Sequence, residues 1–153
     1  MFDRGVAPAI AVVFLIACTV ILAVSVAAML GPLTLDPTPS FRIGGTVDAA
    51  TNELTIEHRG GDTVDLTAID LVVTIDGTPL SEQPPVPFFA AAGFAGGPTG
   101  PFNSATENTW SAGERGSLRI ASTNDPVPTP DASVTITVRM NGHAIASAEL
   151  DHI

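Results

Sequence analysis

Residues 134–150 read Val134-Thr135-Ile136-Thr137-Val138-Arg139-Met140-Asn141-Gly142-His143-Ala144-Ile145-Ala146-Ser147-Ala148-Glu149-Leu150. The first seven alternate apolar and polar, the period of a strand with one face in a core. Val134, Ile136, Val138 and Met140 then point inward. Asn141-Gly142 is the strongest short hairpin signal, because both central residues of a type I′ turn need positive φ. A returning strand is expected over Ala144–Leu150. This hairpin sets the rhythm by which the residues before it are read.

Earlier segments keep that rhythm. Phe41–Val47 reads as a strand with a bulge at Gly44-Gly45. Leu54–His58 alternates and puts Leu54, Ile56 and His58 on one face. Arg59-Gly60-Gly61-Asp62 reads as a turn. Ile69–Ile75 is nearly all apolar, as expected of a central strand, and Asp76-Gly77 signals a hairpin. Ser117–Ala121 is a further strand. Six to eight strands fall within about 115 residues without an amphipathic helical stretch, which predicts an antiparallel β-sandwich of immunoglobulin-like architecture over 41–153. The Cys–Trp–Cys core of true immunoglobulin domains is missing.

Residues 79–108 break the rhythm. They hold six prolines and four phenylalanines, Phe88, Phe89, Phe94 and Phe102. A loop of that length is commonly functional. Either its rings pack on the sandwich as a lid, or they form a contact surface for a partner.

Before the sandwich, residues 32–40 carry three prolines and read as a stiff, extended neck. Before the neck, Val6–Leu30 has no charged residue. As a helix this stretch reaches roughly 37 Å, against about 30 Å for the hydrocarbon of a bilayer. Pro8 falls in the first turn, where no N–H is needed, and Gly31-Pro32 ends the helix. Its polar side chains, Thr19 and Ser25, can bond back to the backbone. Arg4 precedes the span and no basic residue follows until Arg42, so the positive-inside rule puts the N-terminus in the cytoplasm. Three uses compete: a secretory signal with a cleavage site near Ser25-Val26-Ala27, a permanent single-pass anchor, and an assembly helix cut from a short leader. The spacing of Ala7/Ala11 and of Ala23/Ala27 would let neighbouring helices approach closely.

Arg4-Gly5 followed by Val6-Ala7-Pro8-Ala9-Ile10-Ala11-Val12 resembles the N-terminus of archaeal type IV pilins. The family usually has Ser where Ala7 stands. His58-Arg59-Gly60-Gly61-Asp62 and Trp110-Ser111-Ala112-Gly113-Glu114 are similar to elements of haloarchaeal pilin-like proteins. The resemblance implies a leader of Met1–Gly5 removed by a prepilin peptidase at Gly5–Val6. It implies a helix over 6–31 that waits in membrane lipid and then packs with other pilin subunits. It also implies an assembly ATPase and a membrane platform protein as partners, and a surface filament, with adhesion as the expected use.

Net charge is −10, and every basic residue is Arg. Such a surface repels nucleic acid, so no nucleic-acid partner is expected. The acidic, Lys-free balance is similar to that of proteins from extreme halophiles; a secreted domain from a GC-rich genome would also give it. Cys18, alone in the chain, sits inside the apolar helix and reads as a small hydrophobe. His58, His143 and His152 are not brought together by any spacing, Asp62, Asp65 and Asp70 miss the calcium-loop pattern, and no Gly-x-Ser-x-Gly elbow occurs. The expectation is no enzyme, no cofactor and no metal, with His58, Gly60, Gly61, Asp62, Trp110 and Gly113 building a turn and part of the core.

Overall fold

A computed structural model describes residues 5–31 and 37–153. They fall into two units divided between Pro37 and Thr38. The expected Arg4, and residues 32–36 of the expected neck, lie outside the described residues.

The first unit is one helix, α1, Val6–Leu30. Its alanines and long aliphatic residues are compatible with a helix, and Gly31 ends it at φ 62°, a conformation open to glycine. None of its residues is buried.

The second unit is one helix-free sandwich apart from two 3₁₀ turns, Leu66–Ala68 and Gly100–Phe102. Its strands are β1 (Phe41–Asp48), β2 (Glu53–Gly61), β3 (Val64–Asp65), β4 (Asp70–Ile75), β5 (Thr78–Pro79), β6 (Thr109–Trp110), β7 (Arg115–Arg119), β8 (Val134–Met140), β9 (His143–Glu149) and β10 (Asp151–His152). The first sheet runs β10-β1-β2-β7, the second β5-β4-β8-β9, and β3 pairs with β6 at the side. An α-helix followed by a β-sandwich is thus the fold, as read from the sequence.

Alternation places the core between the sheets. Val47, Leu54, Ile56, Val73, Val134, Ile136 and Val138 are all fully enclosed. Met140, expected inside, is only partly covered, because it is the last residue before the β8–β9 turn. That turn has Asn141 at φ 51° and Gly142 at φ 81°, and Asp76 and Gly77 take 50° and 80° between β4 and β5. Both are the type I′ hairpins that their sequences signal.

Three details depart from the sequence reading. Arg59-Gly60-Gly61 is not a turn: β2 continues to Gly61, which pairs with Phe41. Gly60 at φ 143° and Gly61 at φ 108° let the strand carry on in a conformation other residues avoid. The bulge is not at Gly44-Gly45. The register breaks between Arg42, opposite Gly60, and Ile43, opposite His58, so Arg59 is the extra residue. Gly45 is needed for close approach instead, since a Cβ there would run into the Thr55 carbonyl. Finally, the sandwich is not wholly antiparallel: β10 runs parallel to β1, pairing Thr46 with Asp151 and Val47 with His152. The chain passes from β9 in the second sheet through buried Leu150 to β10 in the first, which stitches the two sheets along one side.

The long loop joins the core. Phe88, Phe94 and Phe102 are buried, while Phe89 stays 70% exposed. The loop also covers an edge: Ala95 N–H donates to Arg119 O at 2.9 Å and Thr99 N–H to Ser117 O at 2.8 Å, occupying the free side of β7.

Candidate functional site

Two groups of sequence-selected residues have distinct surroundings. The first is α1. It is apolar on every side, and its internal polar side chains are satisfied within it. Thr19 Oγ1 donates to Leu15 O and Ile16 O at 3.0 and 2.8 Å, and Ser25 Oγ donates to Ile21 O at 2.7 Å. In hydrocarbon an unsatisfied hydroxyl would cost several kcal/mol, so this bonding suits the helix to lipid or to a dry bundle. By length and hydropathy it is able to cross a membrane. Gly5 stands at its N-cap and Val6 is its first residue, so the expected processing bond lies at the helix boundary. No side chain caps that end.

The helix geometry also separates its alanines. Ala7 and Ala11 share a face, as do Ala23 and Ala27. At about 100° per residue, the sixteen positions from Ala7 to Ala23 turn the helix by about 160° beyond whole turns. The two pairs therefore sit on nearly opposite sides.

The second group surrounds His58. Its ring is fully buried on β2, although polar side chains rarely are. Gly60 N–H donates to Nδ1 at 3.2 Å, which fixes Nδ1 as an acceptor. Nε2 then carries the hydrogen and donates to Asp62 O at 2.7 Å. Both ring nitrogens are occupied. Phe41 stacks on the ring at 5.3 Å and Trp110 meets it edge-on at 5.4 Å. Phe102 meets Trp110 at 5.2 Å from the other side.

The peptide groups nearby complete the arrangement. Asp62 is tied to Ser40 twice, through Ser40 N–H to Oδ2 and Asp62 N–H to Ser40 O, both 2.9 Å. Glu114 O accepts from Trp110 Nε1 at 3.2 Å and from His58 N–H at 3.0 Å. Gly113 N–H returns a bond to His58 O at 2.8 Å, and Gly113 takes φ 89° to allow it. The two short sequence elements, fifty residues apart, are thus one interlocked corner. His58 is thus built into the corner by both ring nitrogens and by its two aromatic neighbours.

Elsewhere chemistry-bearing groups stay scattered. His143 is exposed at the start of β9, and His152 Nε2 is bonded to Ala132 O at 2.6 Å. Among the described residues no three His, Cys, Asp or Glu converge as metal ligands. A surface depression of about 450 Å³ is bordered by Asp70, Gln83, Pro84, Pro85, Arg139 and Gly142, and it offers no nucleophile or paired acid and base. Two carboxyls are held below the usual aspartate range. For Asp65 the cause is the Thr67 hydroxyl and then the Thr67 N–H; for Asp48 it is the Thr51 hydroxyl and then the Ala50 N–H. Both are turn caps on the surface.

Several structural residues carry no local sequence signal. Buried Asn124 accepts from Glu82 N–H at 3.0 Å and donates to Glu82 O and Gly93 O at 2.9 and 3.1 Å, clamping the long loop at two points. The Gln83 amide pairs with Val73, accepting from its N–H at 2.8 Å and donating to its O at 3.0 Å, so a side chain takes the place of a neighbouring strand on β4. Val73 lies ten residues from Gln83, and Glu82 and Gly93 lie 42 and 31 from Asn124, beyond what spacing can reveal.

No family model matches the chain. No curated protein matches it. Among solved structures it is similar to the archaellum periplasmic stator protein FlaG from Sulfolobus acidocaldarius, at 14% identity and TM-score 0.44 over 73% of this chain and 99% of that one. It is also similar to a chain of the FlaF and FlaG stator complex from the same organism, at 14% identity and TM-score 0.41 over 76% and 93%. Those roles belong to those proteins.

Proposed function

We propose that the chain is a structural subunit of an archaeal type IV pilus-like surface filament that serves adhesion, and not an enzyme. The precursor sits in the membrane through α1 with its N-terminus in the cytoplasm and its sandwich outside. A prepilin peptidase cuts between Gly5 and Val6. The assembly ATPase and the membrane platform protein then draw α1 from lipid into a bundle with other subunits. The observation that carries this reading is a wholly exposed, charge-free 25-residue helix that begins directly after Arg4-Gly5. Leaving lipid for a helix bundle exchanges one apolar environment for another, so the transfer has a small hydrophobic cost. Opposed alanine pairs give each helix two close-packing sides. The His58–Trp110 corner, with its nitrogens engaged, supports a structural and not a chemical role for the sandwich.

The test is the N-terminus of the mature protein, read by mass spectrometry of the membrane and surface fractions. A start at Val6 is expected. A start at Met1 overturns the proposal in favour of a single-pass anchored β-sandwich that binds a partner without polymerising. A start near Ala28 overturns it in favour of a secreted domain.

A further inference from the structure

The charges of the sandwich are segregated. Strand alternation and register put Arg42, Arg59, Arg115 and Arg119 on the outer face of the β10-β1-β2-β7 sheet, leaving Arg139 as the only arginine of the sandwich elsewhere. Asp48, Glu53, Glu57 and Asp151 share that face, while the ten other carboxylates of residues 38–153 lie on loops and the remaining strands. One face is therefore charge-balanced and the rest of the domain is strongly acidic.

The face is also divided along its length. Arg119 pairs with Glu53 at 3.1 Å and Arg115 with Glu57 at 3.3 Å. Arg42 and Arg59 form no ion pair among the described residues. They stand together at the end where β1 begins, while Asp48 and Asp151 stand at the other. The Arg59 side chain lies over the Gly44 backbone. Gly44 has no side chain, and a Cβ there would run into Arg59 Nε and Cζ, so the guanidinium lies flat across the sheet. Arg59 and Arg115 border a shallow depression of about 140 Å³ with Gly45, Thr46, Thr55 and Glu57 around it. A guanidinium already lying in one place loses little rotamer freedom when it meets a carboxylate.

We propose that the Arg42–Arg59–Arg115 end of this face is the docking surface for the acidic sandwich of a second copy of this chain. Among the described residues it is where two arginines without an ion pair stand together, so an acidic neighbour is attracted there. The two complementary surfaces are different parts of the same molecule, so the contact is head-to-tail, the kind that builds an open filament when its rotation does not close a ring. The choice of a second copy as occupant rests on the filament reading above.

The test uses the full-length chain in a non-ionic detergent at about 0.15 M salt, where the Debye length is about 8 Å. Self-association is measured by sedimentation and the N-terminal mass is read on the same sample. Wild type is expected to associate, Arg42→Glu/Arg59→Glu to associate at least about tenfold more weakly, and Arg139→Glu to match wild type. Gly44→Ala, which keeps every charge but displaces Arg59, is expected to fall between them, with thermal midpoints showing that all variants are folded. A monomeric wild type, or a double variant that associates normally, overturns the proposal. So does a wild type that binds an anionic polysaccharide through these arginines while remaining monomeric. Arginine-dependent association with an N-terminus at Met1 removes the filament reading and leaves the docking surface standing.

Discussion

His58 shows how one polar side chain can belong to a core. Its ring fills space between Phe41 and Trp110, and its two nitrogens are paired with the Gly60 N–H and the Asp62 carbonyl. His58→Ala is expected to lower stability by roughly 3 kcal/mol, the sum of a cavity and lost hydrogen bonding. Trp110 is the only tryptophan, so its fluorescence reports the change directly as a red shift in the folded state. At Gly45 the expected cost of an Ala is larger than at Gly44, since the first collides with Thr55 backbone and the second only with the Arg59 side chain; chemical denaturation of the two variants checks the order. The depressed carboxyls give the pH dependence a sign. Asp48 and Asp65 have lower affinity for protons when folded, so their turn caps contribute fully above the ordinary aspartate range. That contribution is lost as pH falls through the lowered values. Asp65→Asn is expected to flatten the acid limb of a stability-against-pH curve measured by thermal melting.

At the level of elements, the hairpins and the helix behave differently. The β8–β9 turn depends on backbone conformation alone: Gly142 takes φ 81° and nothing lies near a Cβ built on it. Gly142→Val is therefore expected to cost about 1–3 kcal/mol from backbone strain without any clash, and a thermal melt measures it. Helix α1 is apolar on every side, and that surface is its requirement. Val20→Glu puts an unpaired carboxylate at mid-helix and is expected to abolish membrane insertion, read by carbonate extraction, and with it any filament seen by electron microscopy. Periodicity made both elements legible, because a two-residue turn and an apolar helix are encoded by adjacent residues. The Arg59–Asp62 stretch was not legible in the same way. Its glycines signal a turn, and they serve instead to continue β2 past a bulge whose position depends on its pairing with β1.

Over the whole sandwich, the long loop is the largest addition to the expected core. Phe102 sits against Trp110, and a Cβ on Gly116 would strike its ring, so β7 is shaped to admit it. Phe102→Ala is expected to cost about 3–5 kcal/mol, whereas Phe89→Ala, at an exposed site, should stay within about 0.5 kcal/mol; paired thermal melts separate the two. The loop is thus both a lid on the core and a cover for the β7 edge, and of its four phenylalanines only Phe89 is exposed.

What the sequence determined by itself was local: which residues alternate, where type I′ turns fall, that Val6–Leu30 is a helix able to cross a bilayer, and that the histidines have no metal-like spacing. Those properties follow from neighbouring residues and the periods of helix and strand. Only the tertiary structure decided that β10 crosses to the first sheet, that Arg59 is a bulge lying over Gly44, and that His58 and Trp110 form one corner. It also decided that four arginines share a face. Each of these depends on strands separated by tens of residues and on a register that the packed core selects, because a one-residue slip would turn every core side chain toward water.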